Sequence, residues 1–393
     1  MSSGLTKVMT VTLSLAELAA DAAPYLDLGG DSAGSAGEST TDPPTWADLR
    51  ALHRYLRVGL ADLVADRDVG PERGPVTPLR LTKGRVRTAA ICPAQVLAEV
   101  NPFGINFNIA VGIVCDAAAG VLALHPGFRP AGQAGWFESL RPSLAQEHPH
   151  LTEFVDRLGR SDRADFDHVV DDLSGALPEL LGDLRPHRPT VHHRIAHVPV
   201  EGVQITGEID ISLDVTIDGT VGGRLVAEVK SGRFNPRITD ELAHYALITT
   251  LQQLRNDPHA GSAGEPDPGA DPGEPPRRVI GCSVSLGDLA VVPVTLSMEM
   301  LETSARRLLD TTKGLLAIDE TMKTGGRPPT NPGDHCRWCR RVSECGDAPD
   351  LVMAEINESL RPLETLRFDP EFDPAVHGGA VDDEFDEPEV EAS

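Results

Sequence analysis

Aromatic residues are scarce in this sequence: they make up 4% of its 393 positions, against 37 Gly and 32 Pro. Aromatic side chains dominate core burial, so part of the chain reads as linker rather than packed core. Basic residues are also few, with 35 Lys and Arg facing 60 Asp and Glu for a formal charge of −25. Taken over the whole chain, that balance speaks against a polyanionic partner, which needs Lys and Arg. The deficit is concentrated, however. No Lys or Arg follows Arg367, whereas ten acidic residues do, among them Asp382, Asp383, Glu384, Asp386 and Glu387. Residues 351–393 are therefore read as a disordered, solvated tail, available to protein partners. Basic groups remain at Arg80, Lys83, Arg85 and Arg87, at Arg185, Arg188 and Arg194, and at Arg337, Arg340 and Arg341, so the net charge does not exclude nucleic acid. An apolar leader is missing and no run of about 18 apolar residues stands out. The chain is expected to be cytoplasmic, without a membrane span. In that setting six cysteines are thiols or metal ligands rather than disulfides.

Apolar periodicity divides the chain. Residues 1–45 read as weakly ordered, and 46–200 as a helical region that includes Cys92. In it Leu49, Leu52, Leu56, Leu60 and Leu63 recur at helical spacing, and Pro142, Pro149 and Pro178 punctuate a second helical stretch at 134–185. Residues 203–217 alternate strictly: Ile205, Ile209, Ile211, Leu213, Val215 and Ile217 on one face, Glu208, Asp210, Ser212 and Asp214 on the other. A turn at Asp218-Gly219 leads to a second strand at 224–230. A helix is expected at 240–254 with Thr239 as its N-cap, then a flexible insert at 256–278. A hairpin of strands 279–286 and 289–297 follows, then a helix at 298–322. Together these predict an α/β fold: a small mixed sheet of four strands flanked by helices, with its core at 201–330, a cysteine segment at 331–350 and the acidic tail after it.

Asp210, Glu228 and Lys230 stand out chemically. Glu228 and Lys230 are two apart in a strand and share a face, and a hairpin sets Asp210 beside them. A solvated strand face with an ordinary Glu–Lys pair is one reading. The other is a hydrolytic site, in which two carboxylates hold Mg²⁺ or Mn²⁺ through oxygen, the metal acidifies a water, and the ammonium offsets phosphate charge. The wider order is Gly207-x-x-Asp210, then Glu228-Val229-Lys230-Ser231-Gly232, then a helix carrying Glu241-x-x-x-Tyr245. It resembles the RecB-like branch of the PD-(D/E)XK nuclease superfamily, whose motifs run G-x-x-D, [DE]-x-K-[ST]-G and Q-x-x-x-Y. The resemblance implies a restriction-endonuclease-like core, Asp210 and Glu228 as metal ligands with the Val229 carbonyl, Lys230 as catalytic, and Tyr245 in the motif position beside the site. The sequence departs twice. Glu241 stands where the family has Gln, and a carboxylate cannot donate as an amide does. The family's early His ligand is matched by Asp116 in Gly112-Ile-Val-Cys-Asp116, either an oxygen ligand or a helix-surface residue or cap. His125 is the weaker substitute. His192, His193 and His197 read as a surface strand.

Cys336-x2-Cys339-x5-Cys345 gathers three thiols, with Cys92 far upstream. Zinc, an iron–sulfur cluster and unliganded thiols are all open on spacing alone. One early Cys plus this trio, flanking the core, resembles the AddB-type nuclease and the CRISPR-associated RecB-like exonucleases, which implies a [4Fe–4S] cluster on Cys92, Cys336, Cys339 and Cys345. Closing so long a loop removes unfolded-state entropy, by roughly 4–5 kcal/mol in the chain-entropy model for disulfides. Cys115 and Cys282, in apolar company, read as inert core. The resemblance implies a metal-dependent DNA exonuclease acting on single strands or ends, in DNA repair, recombination or phage defence. Two other classes stay open: a catalytically weak or inactive DNA-binding adaptor subunit stabilised by the cluster, and a redox or iron sensor. Protein purified without oxygen should be brown and absorb near about 400 nm, the thiolate-to-iron band, and Cys339→Ser should remove the colour. A colourless protein carrying zinc would overturn the cluster assignment.

Overall fold

The computed structural model describes residues 13–22, 44–65, 79–98, 105–131, 135–217, 219–255, 277–294, 296–333, 335, 336, 339, 342 and 345–347. The chain forms two compact units, residues 1–331 and 332–393. In the first, the order is α1 (Leu15–Ala20), α2 (Trp46–Val64), β1 (Leu79–Thr82), α3 (Lys83–Ile91), α4 (Phe107–Leu124), α5 (Trp136–Glu147), α6 (Pro149–Asp156), α7 (Arg160–Leu181), β2 (Thr190–Val200), β3 (Val203–Ile217), β4 (Thr220–Lys230), α8 (Ile238–Arg255), β5 (Arg278–Ser285), β6 (Ala290–Val294) and α9 (Met298–Lys323).

The fold is mixed α/β, with helices covering a mixed sheet on both faces. On β4, Leu225, Ala227 and Val229 point into one core with α1, α4, α5 and α7. Val226, between them, points into a second core with α2, α8 and α9. The sheet has six strands rather than the expected four: β1 comes from the stretch read as helical, and β2, which holds the histidines read as a surface strand, joins the sheet too. The reason is local: β1 is only four residues long and β2 carries three His and a Pro, so neither has the alternation that marks β3.

The strands on either side of β3 leave a gap in the sheet. β2 runs antiparallel along β3 from Val203 to Ser212. On the other edge β1 pairs in parallel with Val203–Thr206, and β4 pairs antiparallel with Ile211–Ile217. Residues 207–210 are thus left between the end of β1 and the end of β4. Side chains on β3 change cores at the same step: Val203, Ile205 and Ile209 lie in the second core, Ile211, Leu213 and Val215 in the first. The right-handed twist of a 15-residue strand turns its apolar row over as it passes from one partner to the next.

Three further expectations are corrected. Within 1–45, α1 is ordered by a capping box of Ser14 and Glu17 and buries Leu15, Leu18 and Ala19. α4 is a run of 18 residues long and apolar enough to cross a membrane by length and composition. Its Ala110, Val114, Cys115, Ala118 and Leu122 are buried against the sheet and α7, as a core helix requires. Thr239 lies inside α8, and its hydroxyl donates to the Pro236 carbonyl. A turn at Asn235 leads into the helix: its side chain accepts from the Arg237 N–H and its carbonyl accepts from the Ile238 N–H. Most of the insert (256–276) and the acidic tail lie outside the described residues, as do Arg337, Trp338, Arg340 and Arg341.

Gly207 shows how tightly α8 seats on the gap. A Cβ there would stand 2.8 and 2.9 Å from two Tyr245 ring atoms, and that ring is fully buried. Gly207→Ala should lower the unfolding free energy by about 1–3 kcal/mol, the usual cost of overpacking, measured by urea denaturation. No loss would mean that the Tyr245 ring is free to move aside.

Candidate metal and substrate site

The interruption between β1 and β4 is where the chemistry collects. Asp210 stands at its margin. The β3–β4 register, continued by one pair, sets it opposite Glu228, and its Oδ2 accepts the Val229 N–H at 2.8 Å. A side chain thereby satisfies a backbone donor that strand pairing leaves over. Glu228 and Lys230 project from the end of β4 on one side of the gap. From the other side comes Lys83, the first residue of α3, set by the Thr82 cap whose hydroxyl accepts the Arg85 N–H. From α8 come Glu241 and Tyr245.

These groups form a closed ionic arrangement. The Lys83 and Lys230 ammoniums both contact Glu228 Oε1, Lys230 at 2.8 Å. Both also contact Glu241 Oε2, each at 3.1 Å. Arg87 reaches Glu241 Oε1 at 3.1 Å. Lys83 Nζ sits 4.9 Å from the centre of the Tyr245 ring, a cation–π distance. Burial pushes the Tyr245 phenol far up, with Glu228, Asp210 and Glu241 adding to it, so it stays protonated. Burial opposes the charge on Lys83, but Glu228 and Glu241 outweigh it and raise its pKa; the same holds for Lys230. Burial would raise Glu241 too, yet Lys83 and Lys230 hold it at about 2.

Three other carboxyl groups lack full compensation. Glu228 is 3% exposed, and its Oε2 is inaccessible and without a hydrogen-bond partner. Asp116, in the middle of α4, is a third exposed, but its Oδ1 is likewise inaccessible and unpartnered. Burial, then Glu228 and Asp116, push Asp210 well above the usual carboxylate range, against the Val229 N–H. Burial pushes Asp116 up to about 6, and Glu228 and Glu208 add to this against His192 and Lys230. Asp116, Asp210 and Glu228 thus repel one another through low-dielectric surroundings, as carboxylates sharing one site do. A hard divalent cation with oxygen preference fits such a donor set. As the side chains stand, no group of three or more His, Cys, Asp or Glu among the described residues is close enough to hold a metal ion; the ammoniums lie on Glu228 instead.

The chain matches no protein-family model and no curated protein sequence. The assignment of this site therefore rests on its own geometry.

Of the residues named from sequence, Asp210, Glu228, Lys230 and Tyr245 come together. Val229 turns its side chain into the core and its N–H to Asp210. Asp116 is a mid-helix residue coupled to Glu228, neither a cap nor an isolated surface group. A Cβ on Gly112, one turn before it, would lie 3.4 Å from Ser231 Oγ, so this part of α4 runs against the end of β4. His125, the alternative, is at the exposed C-terminal end of α4. The surface reading of the β2 histidines fails for one of them. His197 is buried, with its ring edge-on to His53 at 5.6 Å. His192 takes φ 45° and brings Nδ1 to 3.7 Å from Asp116 Oδ2. No sequence motif marks Lys83, Arg87 or His192 as a site residue; none shares a segment with the β4 residues, and only the fold brings them in. Glu241, the departure from Gln, is explained by the three cations it holds.

The site opens to a cleft of about 640 Å³ whose walls include Arg80, Lys83, Arg194, Gly207, Asp210 and Tyr245. Cys92 is buried at the C-terminal end of α3. On either side of it, the Ile91 carbonyl accepts from Asn331 Nδ2 at 2.8 Å, and the Ala94 N–H donates to the Pro329 carbonyl at 3.1 Å. In the second unit, Cys336, Cys339, Val342 and Cys345 are linked by successive i to i+3 backbone bonds, and the Gly333 N–H donates to Cys336 Sγ at 3.4 Å. N–H bonds to sulfur are a usual feature around cluster thiolates. Cys115 and Cys282 are buried; burial pushes the Cys115 thiol up to about 11 and Cys282 further, which makes both inert.

The raised carboxylates give the metal-free protein a defined pH response. A group whose pKa is higher in the folded state adds stability at low pH and loses it as pH rises through the folded value. Asp116 should therefore cost the protein stability between about pH 4 and about 6. Urea unfolding in a chelator at pH 4, 5, 6 and 7 should show that part of the decline missing in Asp116→Asn. Parallel curves for the two proteins would refute the raised pKa of Asp116.

Proposed function

We propose that this protein is a Mg²⁺- or Mn²⁺-dependent deoxyribonuclease with a restriction-endonuclease-like core of the RecB-like kind, cutting DNA from ends or single strands. The observation that carries the proposal is Glu228: a buried carboxylate with one oxygen unpartnered, next to Lys230, within the field of Asp116, and beside Asp210, which lines a cleft with Arg80, Lys83 and Arg194. Asp116, Asp210 and Glu228 would hold the cation. When bound, it supplies a water of lowered pKa and charge compensation at the phosphate. In the hydrolysis, the water oxygen adds to phosphorus, the P–O bond to the leaving sugar breaks, and the leaving oxygen takes up a proton. Burial opposes the charge on Lys230, but Glu228 and Glu241 outweigh it. As a cation, Lys230 orients the water or stabilises phosphate charge. Tyr245, protonated and walled in, shapes the site without ionising.

We assign Cys92, Cys336, Cys339 and Cys345 to a [4Fe–4S] cluster on their order and spacing, supported by the N–H bond to Cys336 Sγ. Its role is to tie chain segments together. A second reading, a DNA-binding adaptor with little or no cutting, is favoured by one observation: both ammoniums rest on Glu228 as the side chains stand.

End-labelled DNA incubated with the pure protein and Mn²⁺ separates the two. Cutting should fall by at least about 10²-fold in Asp210→Ala and Lys230→Ala, the scale expected when a metal ligand or a charge-stabilising group is lost. Wild-type rates in both variants would end the proposal, and no cutting with any divalent metal would favour the adaptor.

A further inference from the structure

Lys83 reaches the site from the side opposite Lys230. It comes from the first turn of α3, on the β1 bank of the gap in the sheet, while Lys230 comes from β4 on the opposite bank of that gap. The two ammoniums share the same two carboxylates, Glu228 and Glu241. One ammonium is enough to neutralise Glu228. With Arg87 added, three cations face these two carboxylates, with Asp210 and Asp116 beside them. Lys83 is 29% exposed, and it lines the cleft beside Arg80 and Arg194.

We propose that Lys83 is a second phosphate-contacting lysine of this site, positioned by Glu241. The proposal rests on the reading of the cleft as a nucleic-acid site. Glu228 has one carboxylate to offer, and an ammonium or a divalent cation can take it. Once Glu228 is otherwise partnered, Lys83 keeps its bond to Glu241 and its seat 4.9 Å over the Tyr245 ring. Its charge then faces the cleft without leaving its place. A backbone phosphate lying between the two banks meets Lys230 from one side and Lys83 from the other. This also accounts for a carboxylate at position 241: an amide there would hold neither lysine by charge. Glu241 is a positioning residue, acting through Lys83 and Lys230 rather than on substrate.

Three measurements on the full chain test this, with Lys83→Met to keep the stem and remove the charge, and Lys83→Arg to keep the charge. The first is binding of a fluorescent single-stranded oligonucleotide in Ca²⁺, over a range of salt. Loss of one phosphate contact should reduce the slope of log K against log salt by about 0.7 in Lys83→Met, with Lys83→Arg close to wild type. The second is Mn²⁺ binding, read from the paramagnetic resonance signal of free Mn²⁺. Lys83→Met should bind the ion as tightly as wild type or several-fold tighter, because a competing cation has left Glu228. The third is cutting at saturating Mn²⁺, where kcat should fall by about 10²-fold or more in Lys83→Met and be largely restored in Lys83→Arg. An unchanged salt slope overturns the proposal. So does weaker Mn²⁺ binding with full rate recovered at high Mn²⁺, which marks Lys83 as a mere support for Glu228. If wild type cuts nothing and the slope still falls, the nuclease reading fails while the phosphate contact stands.

Discussion

Mutual repulsion among three carboxyl groups, the buried Glu228 and the partly buried Asp116 and Asp210, is the constraint that shapes the centre of this molecule. Charges of one sign do not share a low-dielectric site unless something offsets them. Here the offset comes from Lys83, Lys230, the Val229 N–H and a partial contribution from His192. The compensation is incomplete, because one oxygen each on Glu228 and Asp116 is left without a partner. Buried polar atoms are ordinarily satisfied, and two neighbouring exceptions are the observation from which the proposed cation site is argued.

The fold makes that concentration of charge possible by interrupting its own sheet. β1 and β4 share one edge of β3 but do not meet on it. A continuous ladder would bury residues 207–210 under backbone pairing and keep the helices of the two faces apart. With the interruption, Asp116 from α4 and Lys83, Glu241 and Tyr245 from the opposite side act on the same oxygens. Gly207 completes the arrangement, since only a residue without Cβ lets the Tyr245 ring sit directly over the gap.

The site also shows why one position is hard to interpret alone. Against the motif, Glu241 is a departure that weakens the match. In its surroundings it is a hub that holds Lys83, Lys230 and Arg87. Its low pKa of about 2 means that this hub stays ionised throughout the physiological range. Two lysines fixed by shared carboxylates have little conformational freedom left to lose, which under the proposed function is the advantage of a preorganised electrostatic site.

The alternation along β3, the Glu228-x-Lys230 pair, the core helices and the order of the motifs are all legible in the sequence, because each rests on a period or a spacing within one segment. The four-residue β1 is not, nor is the place of β2 in the sheet, and α1 escapes a reading by periodicity although Ser14 and Glu17 spell out its cap. What the sequence by itself determined is that Asp210, Glu228, Lys230 and Tyr245 belong to adjoining elements with the right faces turned together. Only the tertiary structure decided that Asp116, Lys83 and Glu241 join them. Their separations along the chain exceed any local period, and their approach depends on where β1 stops and β4 begins on the edge of a third strand.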